Sequence, residues 1–457
     1  MIGDHFTHRG LNSENIRQFS PLINVKKGTV THLSPSILSE KKTIPLITEK
    51  SSPEYFKNDD RFKEMKIIGQ KVTKEIPKLV SILEEYRFFE DKHLENFVLG
   101  YLRKKAGKKT VRSYSPWKFF DYLCYYQPEA RILDKQGLFS QKLPLLFEMI
   151  ITTQYLHNHM LDEKYNSTSD NHQKSWKNLI SSNLLEGMVF SYLEKEINPL
   201  IEAEQIAFLR NSILKLFMKV NIGQRIDKYS NSYKAWKEGV SSFSSEKWLG
   251  DDFCRSLMIP HIEKIKEKLN KGSHFTDIYF HRIYLTSAYF FRVIADIITS
   301  FFPKVASDKK EKLVNFSILY GFMLQIINDY ADFAYSHDEK EQKQLNTAGK
   351  TTTDLFADLY NFNITLPLII HLQKEHNLTI EAYLNKGVKT KKTIHQNPLK
   401  IVNEIKASGG IEACISLSKN LAKAANSHLD KRNPASSYLT SMTDMANCNK
   451  FYKTFKL

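Results

Sequence analysis

The sequence predicts an all-α protein, a bundle of roughly ten packed helices, and three observations support this prediction. Apolar residues recur at helical spacing in long runs from about residue 61 onwards, and no stretch stands out with the alternating period of a strand. Glycine and proline are scarce, at 17 and 14 of 457 residues, which disfavours β-sandwiches and barrels because these folds need many turns. Hydrophobic residues make up 42% of the chain and charged residues 25%, as in soluble globular proteins.

The first 60 residues differ from the rest of the chain. They mix Ser, Thr, Pro and Lys without a period, which predicts a flexible N-terminal extension (1–60) before a helical domain (61–457). After a first run that begins near residue 61, the helical runs cover 91–103, 115–126, 139–162, 173–197, 200–222, 253–269, 275–302, 309–336, 353–375 and 398–429.

The charge balance indicates an anionic partner. Lys and Arg together number 66 against 50 Asp and Glu, a net charge of +16. Such an excess suits phosphate groups, a nucleic acid or an acidic membrane, although lysine also serves simply to keep proteins soluble. The chain shows no zinc-ligand spacing and no RNA-reading motif, so we do not expect it to bind nucleic acid.

The cysteines and the first residues of the chain indicate the cellular compartment. Cys124, Cys254, Cys414 and Cys448 lie far apart, which fits neither a disulfide framework nor a zinc site and favours a reducing compartment, the cytoplasm. The opening residues lack a basic stretch followed by an apolar core, so no secretory signal is expected. No run of apolar residues approaches the ~18 of a membrane helix.

Two aspartates stand in an apolar run, "LQIINDYADF". Asp329 and Asp332 are three apart and share a helix face, which Gln325 joins from four residues before Asp329. A buried carboxylate is costly unless a cation or a hydrogen-bond donor meets it. The run therefore either ends in a capped turn or contributes to a metal site.

An earlier run, "TTQYLHNHMLDEKY", has a comparable pattern. Asn158 and Asp162 are four apart near the C-terminal end of this apolar run. If the two helices face each other, their oxygen atoms point into one cavity, an arrangement that suits Mg²⁺ bridging the protein to a diphosphate. The basic segment "LRKKAGKKTVRSY" adds cations after a glycine turn, which could clamp phosphate groups.

These segments resemble motifs of the trans-isoprenyl diphosphate synthases, or polyprenyl synthetases, in that family's own order. The matching stretches are "AGKKTVR" (106–112), "LHNHMLDE" (156–163), "GQRID" (223–227), "YLTSAYFFR" (284–292), "GFMLQIINDYAD" (321–332) and "DLYNFNITLPL" (358–368). The resemblance spans about residues 65 to 450 and leaves the N-terminal extension unmatched.

The resemblance implies a class I isoprenoid synthase bundle around a central cavity. It implies prenyl transfer, in which an allylic diphosphate ionises with the help of Mg²⁺ and then condenses with isopentenyl diphosphate. The implied metal ligands are Asn158, Asp162, Asn328, Asp329 and Asp332, and the catalytic roles fall to Gln325, Asp162 and Asp329. The implied diphosphate-binding cations are Lys108, Lys109, Arg112 and Lys350. A homodimer is also implied, and the basic charge adds a peripheral membrane contact.

The chain departs from the family pattern at several positions. Asn158 and His159 replace the two leading aspartates of the first motif, and Asn328 replaces the first aspartate of the second. Leu285 and Asn363 stand where the family has lysines. Alternatives to the prenyl transferase therefore stay open: a class I terpene cyclase, a catalytically impaired prenyl-binding or regulatory paralogue, or transfer of the prenyl group to another acceptor.

Overall fold

A computed structural model of the chain describes residues 60–85, 96, 98–103, 111–161, 170–230, 252–267, 274–333, 358, 363–374 and 398–444. Within these ranges the regular secondary structure is helical and contains no strand, which confirms the all-α prediction. The N-terminal extension lies outside the described residues, so its flexibility stays a prediction.

Thirteen α-helices are defined in the described ranges. They are α1 (Asp60–Glu85), α2 (Val111–Cys124), α3 (Leu143–Leu161), α4 (Asp170–Tyr192), α5 (Ala203–Ser230), α6 (Asp252–Lys266), α7 (His274–Ile283), α8 (Tyr289–Ser300), α9 (Ser307–Ala331), α10 (Leu366–Lys374), α11 (Pro398–Ala407), α12 (Gly410–Ser427) and α13 (Ala435–Thr443). No predicted run covers α13. The bounds of the other helices follow the predicted runs closely, with two exceptions.

The two exceptions are late in the chain. The run 398–429 is divided into α11 and α12 by Gly409, whose φ of 75° is left-handed and therefore favours glycine. In the run 353–375, α10 begins only at Leu366, after the non-helical residues 363–365. Hydrophobic spacing alone registers neither break, because apolar residues continue through both.

Three short π-helical turns interrupt the regular winding. They are Leu138–Lys142 before α3, Leu193–Ile197 after α4, and Tyr284–Ala288 between α7 and α8. Such turns often occur at functional sites because they rotate the side chains that follow. The third one joins α7 and α8 into one continuous helical stretch.

That continuous stretch, Thr276–Ser300, is long and apolar enough to cross a membrane by length and composition. It corrects the expectation that no stretch approaches this limit. Its composition also suits a core helix, and 67% of its most apolar window is buried inside the protein. We therefore interpret the stretch as a core element.

The core is centred on α8 and α9. Helix α8 packs against α2, α5 and α9, and α9 packs in turn against α12. Aromatic rings contact one another here, as in the stacked pair Phe120–Phe139 with ring centroids 4.0 Å apart and the parallel pair Phe316–Tyr320. Each such buried side chain stabilises the fold by roughly 1.5–3 kcal/mol.

Helix α1 is attached to the bundle by a partly buried set of charges. Lys142 in the first π turn lies 2.6 Å from Glu196 in the second and 3.6 Å from Glu75 of α1. Lys78 lies 3.0 Å from the same Glu75. Two acids and two cations balance each other, which satisfies the requirement that buried charges be paired.

Candidate functional site

Four helices bring polar side chains together near the C-terminal ends of α3, α5, α7 and α9. This polar series consists of two sets of contacts that share α5. Gln224 of α5 pairs with Asn158 of α3, and Asp227 of α5 is linked through Arg282 of α7 to Asp329 of α9, which Gln325 also contacts. Helices α5, α7 and α9 each contribute two residues three or four positions apart, which places both side chains of a helix on one face, whereas α3 contributes Asn158.

The carboxylate of Asp329 is buried and surrounded by donors. The hydroxyl of Tyr279 donates to its Oδ2 at 2.6 Å, and Nε2 of Gln325 donates to its Oδ1 at 2.8 Å. Nη2 of Arg282 lies 3.7 Å from the same Oδ2. Only 2% of Asp329 is exposed, so these groups replace its hydration.

The guanidinium of Arg282 joins two acids from different helices. Its Nη1 donates to Oδ1 of Asp227 on α5, while its Nη2 faces Asp329 on α9. The guanidinium carbon also lies 5.1 Å from the centre of the Tyr279 ring, within the range of a cation–π contact. One buried cation therefore links α5, α7 and α9.

A hydrogen bond between amides connects α3 to this group. Nε2 of Gln224 donates to Oδ1 of Asn158 at 2.8 Å. Gln224 and Asp227 are three apart on α5, so one face of that helix contacts Asn158 on one side and Arg282 on the other. Asn158 itself is exposed to solvent.

Two glycines allow the helices to approach closely enough for these contacts. A Cβ on Gly223 would lie 2.7 Å from Cγ2 of Thr286, and a Cβ on Gly321 would lie 2.5 Å from Cα of Ala288. Both glycines therefore face the third π turn, from α5 and α9 respectively. Their small size brings Asp227 and Asp329 towards the same arginine.

Burial and neighbouring charges change the acidity of the cluster. Burial, opposed by Arg282 and reinforced by the nearby Asp358, raises the pKa of Asp329 to about 6. Burial lowers the pKa of Arg282, but the attraction of Asp227 and Asp329 outweighs it and holds that pKa above its usual range. Burial and then Asp329 raise the pKa of Tyr279 well above its usual value, so its hydroxyl stays protonated and donates.

Comparison with known proteins shows that the chain has a known fold. No protein-family model matches the chain, and no curated protein matches its sequence. Among solved structures, it is similar to a geranylgeranyl pyrophosphate synthetase from Pyrococcus horikoshii, with a TM-score of 0.56 and 17% identity over 85% of this chain and 98% of that one.

Two further structures agree. A geranylgeranyl pyrophosphate synthase from Corynebacterium glutamicum, complexed with isoprenyl diphosphate and magnesium, matches with a TM-score of 0.58 and 12% identity, covering 84% of this chain and 99% of that one. A polyprenyl synthase from Caulobacter crescentus, complexed with calcium and isoprenyl diphosphate, matches at 0.54 and 14%, covering 84% and 97%.

The chain has the fold of the prenyl diphosphate synthases. The fold implied by the sequence resemblance is thereby confirmed. Sequence identities this low show the fold alone, so what the prenyl diphosphate synthase fold does in this chain has to be argued from its own residues.

Within the prenyl diphosphate synthase fold, the predicted site residues have different outcomes. Asn158, Gln325 and Asp329 belong to the polar series described above. Asn328 is exposed, whereas Asp332 is only 3% exposed. Arg112 falls in the first turn of α2, and its side chain lies outside the described residues. The remaining predicted residues, Asp162, Lys108, Lys109 and Lys350, also lie outside the described residues, so their roles stay predictions.

Sequence reasoning missed Tyr279 and Arg282 and did not include Gln224 or Asp227 among its site residues. One signal was available. Arg282 is a lone arginine in an otherwise mostly apolar run, "DIYFHRIYLTSA", and such a cation on a buried helix requires an acidic partner. Tyr279 lies three residues before it on the same face.

The described residues do not fit the two-sided magnesium cluster that the resemblance implies. Among the residues that the structure describes, no three His, Cys, Asp or Glu side chains are placed to hold a metal ion. Asp329 is closed by protein donors, and Asn158 offers only a neutral oxygen. Asp162, the remaining acid of the first motif, lies outside the described ranges.

Proposed function

We propose that the chain is a divergent member of the isoprenyl diphosphate synthase family that transfers the prenyl group of an allylic diphosphate to isopentenyl diphosphate. The observation that supports this best is that one face of α5 contacts Asn158 through Gln224 and is linked to Asp329 through Asp227 and Arg282. It brings the two predicted motif helices, α3 and α9, to one polar site within this fold.

The site divides into parts that suit the two halves of such a substrate. The polar side chains gather at the C-terminal ends of the helices, and most other positions on α8 and α9 are apolar. A prenyl diphosphate has a charged head and an apolar tail, so its head belongs at the polar end. There, an exposed amide such as that of Asn158 can donate to phosphate oxygens.

The cations predicted from the sequence complete the proposal. Lys108, Lys109, Arg112 and Lys350 would bind diphosphate oxygens and stabilise the negative charge that develops as the C–O bond breaks. Mg²⁺ dependence rests on Asp162 and stays a prediction. The test therefore varies the metal independently of the substrates.

A direct assay distinguishes the open functions. Purified full-length protein receives labelled farnesyl diphosphate, with and without isopentenyl diphosphate and with and without Mg²⁺. Longer diphosphates formed only with isopentenyl diphosphate support the proposal, whereas hydrocarbon formed without it indicates a terpene cyclase. Saturable binding without turnover indicates the non-catalytic alternative, and neither binding nor turnover contradicts the proposal.

One observation favours that non-catalytic alternative as a second candidate. Asp329 is enclosed by Tyr279, Gln325 and Arg282, and a carboxylate engaged in this way contributes to stability rather than to chemistry. A prenyl-binding paralogue would keep the fold and the polar site and would lose turnover. The same assay separates it from an active transferase.

We also propose the homodimer that the resemblance implies, through α5. Leu214, Met218 and Ile222 follow one another at four-residue spacing and are exposed, which gives this helix an apolar outer stripe. Met218→Glu should convert a dimer to a monomer in light scattering coupled to size exclusion. Ile259→Glu, at an exposed position on α6, is the matched control.

A peripheral membrane contact and a cytoplasmic location remain part of the proposal. Tyr125, Ile132 and Leu133 are exposed apolar side chains near the exposed cations Lys304 and Arg432. Such a mixture suits an acidic lipid surface. Co-sedimentation with vesicles that contain phosphatidylglycerol should exceed that with neutral vesicles, and Ile132→Glu should reduce it.

A further inference from the structure

The two motif helices end in different environments. The Asn158 end of α3 is exposed, whereas Asp329 and Asp332 of α9 are almost fully buried. A divalent cation needs direct access to carboxylate oxygens and keeps several of its own waters when it is Mg²⁺. Neither requirement is met at Asp329 in the described arrangement.

We infer that Arg282 is the built-in counter-ion of Asp329, and that this ion pair, closed by Tyr279 and Gln325, removes Asp329 from the groups available to a divalent cation. Any metal that this protein binds with its substrate would then be held without Asp329. Asp329 serves instead to join α9 to α7 and, through Arg282, to α5.

The chemistry of the guanidinium supports this assignment. Arginine stays charged at any physiological pH and presents several N–H groups in a fixed plane, so it can contact Asp227 and Asp329 simultaneously. Both oxygens of Asp329 already accept from protein donors, at 2.6 and 2.8 Å. A metal ion would have to displace at least one of these donors from a site that is 2% exposed.

The glycines make the arrangement part of the fold. Gly223 and Gly321 let α5 and α9 press against the π turn that follows Arg282. The guanidinium is therefore positioned by backbone packing on both sides and does not depend on a ligand. Two aspartates that bind a metal repel each other when the metal is absent, so replacing one of them stabilises the metal-free protein. Asp329 differs because its charge is already balanced by Arg282.

The test is a thermal-unfolding series of the full chain with MgCl₂ alone, from zero to 10 mM. Arg282→Met leaves the buried carboxylate of Asp329 without the guanidinium that faces it and should lower the Tm by roughly 5–10 °C. Mg²⁺ should recover part of this loss in Arg282→Met but not in the double variant Arg282→Met/Asp329→Asn. In the unaltered protein and in Asp329→Asn, the same Mg²⁺ range should change the Tm equally.

Two controls keep the test decisive. Arg292→Met removes another half-buried arginine, which contacts Asp296 and Tyr284 outside the cluster, and should show no Mg²⁺ recovery. Arg282→Lys keeps the positive charge and should lose less stability than Arg282→Met. If Arg282→Met does not fold, the Tm of Arg282→Lys with and without Mg²⁺ is compared with that of the unaltered protein instead.

The inference is overturned by any of three results. They are a Mg²⁺-dependent rise of Tm in the unaltered protein that Asp329→Asn removes, an Arg282→Met variant as stable as the unaltered protein, or an Arg282→Met variant whose loss Mg²⁺ leaves unchanged. None of these measurements uses turnover, so they stand or fall separately from the proposed transferase activity.

Discussion

The ends of α3 and α9 look alike in the sequence and differ in the structure. Each apolar run ends with an amide and an acid four residues after it, "NHMLD" and "NDYAD". On α3, Asn158 faces solvent and has one amide partner, Gln224. On α9, Asp329 is buried and held by three side chains. The difference teaches that similar motifs stay open to solvent or are enclosed by protein according to what the neighbouring helices supply.

The largest expected effect on stability comes from separating α9 from the π turn Tyr284–Ala288. Gly321→Ala would place a Cβ 2.5 Å from the backbone of Ala288, which cannot move without shifting α8. We expect a loss of about 3 to 5 kcal/mol in the free energy of unfolding, measured by urea titration.

The matched control for this substitution is Gly187→Ala in α4, where nothing lies within 4 Å of the new Cβ. There, alanine should stabilise the helix by about 0.5–1 kcal/mol. Similar losses at both glycines would contradict the claim that Gly321 is required by the close approach of α9.

The next effect is a dependence of stability on pH. The pKa of Asp329 is raised from 3.8 to about 6 in the folded protein. Below about pH 4 both states are protonated and the stabilisation is fully present. As the pH rises from about 4 through about 6, the unfolded state releases its proton before the folded state does, and roughly 3 kcal/mol is lost.

Asp329→Asn isolates this contribution because asparagine does not titrate. The free energy of unfolding of the unaltered protein minus that of Asp329→Asn should therefore fall between pH 4 and pH 7. A difference that stays level, or that rises with pH, would show that the donors outweigh burial and that the pKa is not raised.

A smaller effect should follow from removing a single donor at the closed end. Tyr279→Phe deletes the hydroxyl that donates to Asp329 and should cost roughly 1.5–3 kcal/mol, because hydrogen bonds to charged groups are the stronger ones. It should also raise the pKa of Asp329 further. Tyr126→Phe, which deletes a hydroxyl that donates to Asp430 at 3.1 Å in a half-buried setting, should cost less.

The smallest effect is expected at the open end. Asn158→Ala removes the acceptor of Gln224 at an exposed position, so the loss should be at most about 1 kcal/mol. The same substitution should weaken binding of inorganic pyrophosphate in isothermal titration. A large loss of stability with unchanged binding would reverse the roles assigned to the two ends.

The sequence predicted much of this architecture and part of the site. Helical spacing placed nearly all of the described helices, and the four-residue spacing of Gln325 and Asp329 correctly predicted a shared face. The partners of Asp329 could not be predicted in the same way. Tyr279 and Arg282 lie about fifty residues earlier in the chain, and local patterns contain no information on which distant helix packs against α9.

The two close-packing glycines illustrate the same limit. Gly223 begins the motif "GQRID" and Gly321 begins "GFMLQIINDYAD", yet both act through the space they leave for a π turn. That turn has no signature in the hydrophobic pattern. Its role emerges only when three helices are assembled around it.

Because one guanidinium serves acids on two other helices, positions 227, 282 and 329 form a single electrostatic unit. A relative that lacks the arginine would carry surplus negative charge in its interior unless the acids changed as well. Across homologous sequences, loss of the cation should therefore coincide with neutral residues at 227 or 329, or with a new basic residue one helical turn away. Such correlated replacement, found by comparing sequences alone, would show that the three residues evolve together.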